Sequence, residues 1–134
     1  MKARESCSVP VARFVPEPFN ECKDKLPLVY ICSRYRGKDE TDVREHIRWA
    51  KAFSCFALER HAVPVAPHLF YPQFLDDDDP RQRSYGIMCA DRLLMRCDEV
   101  WVFNVDGISE GMASEIALAD AMGKPVRVFD VLDV

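Results

Sequence analysis

Leu28-Val29-Tyr30-Ile31-Cys32 is an unbroken apolar run of strand length that stops at the polar turn Ser33-Arg34-Tyr35-Arg36-Gly37. A short run that is apolar at every position is the pattern of a strand buried on both faces in a parallel sheet. Beyond the turn, a long helix is expected, with Asp39, Glu40 and Asp42 at its start and a stripe at Val43, Ile47, Ala50, Ser54 and Ala57. Trp49, Phe53 and Phe56 widen that stripe, so this helix should be covered on more than one side.

Further along, Val63 to Ala66 reads as a brief second strand closed by Pro67, and His68 to Asp79 as an irregular stretch ending in the aspartates Asp76 to Asp79. Pro80 suits the first position of a second helix, striped by Ile87, Ala90, Leu94 and Cys97. Glu99 to Val105 is a third strand and Asp106-Gly107 a turn. Ser109 is the N-cap of a third helix that runs to Met122. Gly123 stops it, and Pro125 leads into a last strand, Val126 to Val131. The order β-α-β-α-β-α-β specifies an α/β protein of three layers, α/β/α, with a parallel sheet and right-handed crossovers. Ligands of such sheets bind beyond the carboxyl ends of the strands. The loops of interest are therefore 33 to 39, 67 to 80 and 104 to 111.

On the N-terminal side, Pro10, Pro16, Pro18 and Pro27 break any periodicity. Residues 1 to 27 read as an arm, with Val9 to Val15 as a candidate edge strand, and residues 28 to 134 as the domain. The whole chain of 134 residues is the length of one domain with one core. At that size a fold buries about 68% of its unfolded surface without staples. The 18 basic and 22 acidic residues leave a formal charge of −4, which provides no footprint for the phosphates of polymeric nucleic acid. No window has the length of a membrane span, and the start lacks the apolar run of a signal peptide, so a cytoplasmic protein is expected. The cysteines Cys7, Cys22, Cys32, Cys55, Cys89 and Cys97 have no CxxC spacing. They read as small core residues in a reducing compartment rather than as disulfides or a zinc site, and no metal or cofactor is expected.

Two loops carry groups fit for chemistry. The first places Ser33, Arg34, Tyr35, Arg36 and Gly37 at the end of a strand: arginine suits bidentate recognition of phosphate or carboxylate, and glycine admits a ligand to the backbone. The alternative is a solvated basic loop balancing Asp39 and Glu40. The second runs from Asp106 through Ser109 and Gly111 to Glu115. A helix starting at Ser109 points free N–H groups at the same crevice. Glu115 lies one turn past Gly111, and helical side chains lean toward the N-terminus, so its carboxylate reaches over a position with no side chain. The alternative is a surface Glu behind a weak helix former. Against that, Met112, Ile116 and Ala119 form the apolar stripe and set Glu115 at the border of the core.

Tyr30-Ile31-Cys32 followed by Tyr35-Arg36-Gly37, then Asp98-Glu99-Val100-Trp101-Val102, Ser109-x-Gly111-x-x-x-Glu115 and Gly123-Lys124-Pro125-Val126, resembles the nucleoside 2-deoxyribosyltransferase superfamily. Within it the chain is most similar to small phage and bacterial domains of uncharacterised function and to the 2'-deoxynucleoside 5'-monophosphate N-glycosidases. The resemblance spans residues 28 to 131, and the Ser-x-Gly-x-x-x-Glu helix start is its most specific part. It implies a flavodoxin-like or Rossmann-like fold, cleavage of an N-glycosidic bond, and a dimer or larger homo-oligomer. It also implies that Glu115 attacks the anomeric carbon and that Ser109 with Arg36-Gly37 binds a 5'-phosphate. Relatives acting on unphosphorylated nucleosides have Asp where this chain has Ser109, so a small-molecule nucleotide is the implied substrate.

The acid that assists the departing base in such enzymes aligns one residue away from Asp91, which reads equally as a structural residue at the edge of its helix stripe. Arg34 stands where relatives have a small residue or Pro. His68 lies on the ligand edge and reads either as a contact to base or sugar or as a hydrogen-bonded structural residue. His46 and His61 are placed on the long helix with no chemical role, and Trp101 in the core. The four aspartates read as solvated charges favouring a helix N-terminus, with a Mg²⁺ site as the sharper alternative. A non-catalytic nucleotide-binding module, or a phage accessory protein, is the competing functional expectation.

Overall fold

The computed structural model describes residues 2–9 and 26–134. Its strands are β1 (Ala3–Ser8), β2 (Leu28–Cys32), β3 (Val63–Val65), β4 (Glu99–Asn104) and β5 (Val126–Asp133). The helices are α1 (Glu40–Glu59), α2 (Pro67–Phe70), α3 (Pro80–Leu94) and α4 (Glu110–Ala121), with a 3₁₀ turn at Tyr71–Gln73. All four strand pairings are parallel, and the order across the sheet is β1-β5-β4-β2-β3.

The two faces of β2 explain its all-apolar sequence. Val29 and Ile31 pack on one side with Phe53 and Ala57 of α1 and with Phe103 and Phe129 of neighbouring strands. Tyr30 and Cys32 pack on the other with Leu94 of α3 and Met112 and Ala119 of α4. Helices on both faces make this the expected three-layer α/β/α sandwich. On the α1 face the rings of Phe53 and Phe103 stack at 4.3 Å and those of Phe103 and Phe129 at 5.2 Å. The starts of α1, α3 and α4 are capped by side chains: Asp39 accepts from Asp42 N at 2.9 Å, Asp79 from Arg81 N at 3.0 Å and Ser109 from Met112 N at 3.2 Å.

Several expectations need correction. Residues 3 to 8, assigned to an arm, form the fifth strand, parallel to β5 at the sheet edge. The segment Ala-Arg-Glu-Ser-Cys-Ser buries only Cys7, so it has no apolar alternation to announce it. Charge holds it instead: Nε and Nη2 of Arg4 each donate to the Asp130 carboxylate at 2.6 Å, and Glu5 accepts from Arg60 at 2.9 Å and Arg127 at 2.8 Å. The candidate strand Val9 to Val15 extends into 10–15, outside the described residues. The first half of the stretch after Pro67, to Gln73, is helical rather than irregular, because that proline sits at a first helical position and starts α2 instead of merely ending β3. Ile87, assigned to the core stripe of α3, is 51% exposed. His61 lies beyond the end of α1, in a left-handed turn with φ 59°. The five described cysteines are free thiols, with Cys7, Cys32 and Cys97 buried in the core.

Gly37 has a packing reason. A Cβ there would overlap the Cβ of Asp42, whose carboxylate accepts from Lys38 N at 3.0 Å. The glycine lets the strand-to-helix turn lie flat on the start of α1. Gly37→Ala is therefore expected to lower stability by about 1–3 kcal/mol, read as a drop in urea midpoint at constant m.

Candidate active site

The sheet order reverses between β2 and β4: the crossover from β2 goes outward to β3, and the next returns past it to β4. The crevice beyond their carboxyl ends is the place where an open α/β sheet takes its ligand. A cavity of about 610 Å³ lies there. It is walled by the turn after β2, by α2 and the 3₁₀ turn, by one side of α3 from Arg83 to Asp91 and by the start of α4.

Of the residues singled out in the sequence, Ser33, Tyr35, Arg36, His68, Asp91, Ser109, Gly111 and Glu115 line this cavity together. Arg34, Gly37 and Asp106 do not. Arg34 turns instead to the loop after β4, where its Nη2 donates to the Asp106 carbonyl oxygen at 3.1 Å. Asp106 has a left-handed backbone, φ 58°, that shapes this loop with Gly107. Gly37 packs on Asp42, as described above, and opens no backbone to the cavity. At Gly111 a Cβ would touch nothing within 4 Å, so the space before Glu115 is open.

Glu115 stands in this wall with its carboxylate among neighbouring donors. The Tyr30 hydroxyl donates a short hydrogen bond to its Oε2, and the Cys32 thiol lies 3.8 Å from its Oε1 and from the Met112 carbonyl oxygen. Burial pushes the Glu115 carboxyl up to about 7; the Tyr30 and Cys32 donors oppose that rise, and the charge of Asp91 adds to it. Tyr30 itself is held well above its usual ionisation range, first by burial and then by Glu115, so it remains a donor. Asp91, on α3, is also raised by burial. Two carboxyls thus share one cavity, one with donors fixing its orientation and the other without, an asymmetry that lets a pair take different roles.

His68 is driven down to about 4 by burial and is therefore neutral at ordinary pH, with Nε2 2.9 Å from Ser33 Oγ. The His46 ring, buried in α1, donates from Nδ1 to the Tyr35 carbonyl oxygen at 3.0 Å and so steadies the turn. Arg36 is ion-paired: its Nε lies 3.3 Å from Asp77 Oδ2 and its Nη2 3.9 Å from Asp78 Oδ1. Among the described residues no cluster of His, Cys, Asp and Glu could hold a metal ion. No helix among them is long and apolar enough to cross a membrane.

Sequence reading missed Tyr30, Tyr71, Asp77 and Arg83 in this wall. Tyr30 had a signal. A tyrosine inside a fully buried strand must find a partner for its hydroxyl, and the period of two places it on the face of Cys32, toward α4.

A parallel three-layer α/β sandwich of this kind is shared with a known 2-deoxyribosyltransferase. The structure superposes on the 2-deoxyribosyltransferase of the psychrotolerant bacterium Bacillus psychrosaccharolyticus, a biocatalyst for nucleoside synthesis, with a TM-score of 0.59 and 14% identity over 79% of this chain and 74% of that one. Residues 27–129 match DUF7768, a domain of unknown function, and the chain belongs to that family. No curated protein matches it.

Proposed function

We propose that the protein is an N-glycosidase or deoxyribosyltransferase-like enzyme that cleaves the N-glycosidic bond of a (deoxy)nucleoside 5'-monophosphate. The observation that carries this reading is the Glu115 carboxylate, held by Tyr30, lining one cavity with Asp91 and standing one helical turn beyond the open position at Gly111. Glu115 attacks the anomeric carbon while the bond to the base breaks, and Asp91 gives its proton to the departing nitrogen. The resulting glycosyl ester is opened by water, or by a second base in transfer. A carboxylate nucleophile in this way divides one hard displacement, with its oxocarbenium-like transition state, into two easier ones. The phosphate is taken by Arg36 and by the backbone N–H groups at the start of α4, where the helix dipole favours an anion.

The test is incubation with a panel of ribo- and deoxyribonucleoside monophosphates and mass spectrometry for free base. Release from at least one monophosphate, faster than from its nucleoside, is expected; no release from any of them removes the proposal.

Tyr30→Phe probes the nucleophile's environment. Attack requires ionised Glu115, so the rate rises with pH through its pKa near 7. Removing a donor that stabilises the carboxylate moves that limb upward, by about one unit. A loss of about tenfold is expected at pH 6.5, shrinking above pH 8, in the pH profile of kcat.

A further inference from the structure

The run of acidic residues before α3 is not simply solvated. Its segment is ordered by a local framework: Leu75 N donates to the Tyr71 carbonyl at 2.8 Å, Asp76 N to Gln82 Oε1 at 2.8 Å and Asp78 N to Asp76 Oδ1 at 2.9 Å. That framework presents Asp77 to the cavity, where it meets Arg36 at 3.3 Å. Asp78 stands farther off, at 3.9 Å, with a side chain 92% exposed. The charges of Asp77 and Asp78 also reach Tyr35 on the same wall and raise its pKa, after burial. The guanidinium best placed to receive a ligand's anion is thus already held by an internal one.

We infer that Asp77 is a stand-in anion that occupies Arg36 in the free protein and is displaced by the phosphate of an incoming ligand. This rests on the proposed nucleotide site and deepens it. The pair is half exposed, with side-chain exposures of 49% for Arg36 and 34% for Asp77, and such pairs are weak enough to exchange. A phosphate monoester brings nearly two charges and three acceptor oxygens against one carboxylate, so it gains by the exchange. An uncharged nucleoside leaves Arg36 with Asp77, and a ligand bearing one carboxylate gains nothing over the pair it breaks. Asp77 therefore lowers the affinity of any anion that must displace it from Arg36 and leaves that of an uncharged ligand unchanged.

The test uses 2-deoxyribose 5-phosphate, which has no base to lose, in titration calorimetry, alongside KM for a cleaved monophosphate and its nucleoside. Asp77→Asn is expected to bind the sugar phosphate about five- to tenfold more tightly, with KM for the monophosphate falling in step and the nucleoside unchanged. Asp78→Asn should change neither by more than about twofold. In an Arg36→Ala background the gain from Asp77→Asn should vanish. Should Asp77→Asn fold poorly, Asp77→Ser supplies the same comparison, with melting temperature as the check. Equal or weaker sugar-phosphate binding by these variants, or an equal gain from Asp78→Asn, overturns the inference. Tighter sugar-phosphate binding without cleavage of any nucleotide would sustain it and discard the enzymatic reading instead.

Discussion

Glu115→Gln is expected to reduce base release by at least about 10³-fold in kcat while making the protein more stable at alkaline pH. The loss follows from chemistry. An amide has no charge to offer an anomeric carbon and cannot form the ester intermediate, although its shape still fits beside Tyr30. The gain follows from linkage. Glu115 ordinarily ionises near 4.5, as in the unfolded chain, and in the fold at about 7. Between those values the unfolded state binds fewer protons than the folded one, so stability falls as pH rises through the window. The full cost of the buried charge is reached above pH 7 and amounts to about 3 kcal/mol. Glutamine carries no such cost. Thermal melts of parent and variant should therefore converge near pH 4 and separate by several degrees at pH 8, the variant higher. A variant that retains base release rules out the nucleophile; melts that stay together at pH 8 rule out the strained charge.

Asp91→Asn is the second large effect. As the proton donor to the departing base, Asp91 should contribute about 10²–10⁴-fold, and the loss should depend on the leaving group. Bases that depart poorly without a proton lose most. Substrates whose leaving group is already a good anion lose little, because no proton is needed. Burial raises the Asp91 carboxyl, which keeps more of it protonated toward neutral pH than a surface aspartate would be. A uniform loss across leaving groups, with KM rising instead of kcat falling, assigns Asp91 to shaping the wall.

Much of the architecture was legible because parallel strands and their covering helices obey simple periods. The run at 28 to 32, the stripe of α1, and the Ser109 cap with Glu115 one turn beyond Gly111 are local patterns, and each appears in the structure where the spacing puts it. The exceptions have local reasons too. β1 buries one residue and is held by ion pairs, so hydrophobic pattern was blind to it. Pro67 carries two meanings, strand end and helix start, and only the backbone after it tells them apart.

The site divides in the same way. Sequence alone determined that an arginine-bearing turn and a Glu-bearing helix start lie on the carboxyl edge of one parallel sheet, because strand direction follows from the alternation of elements. The tertiary structure decided which groups meet there. Tyr30 reaches Glu115 across 85 residues of chain, and Asp77 takes Arg36 while Arg34 turns away to Asp106. Those choices depend on strand order, register and the fold of the segment between α2 and α3. Such properties are set by the packing of distant parts of the chain against one another, and no window of sequence contains them.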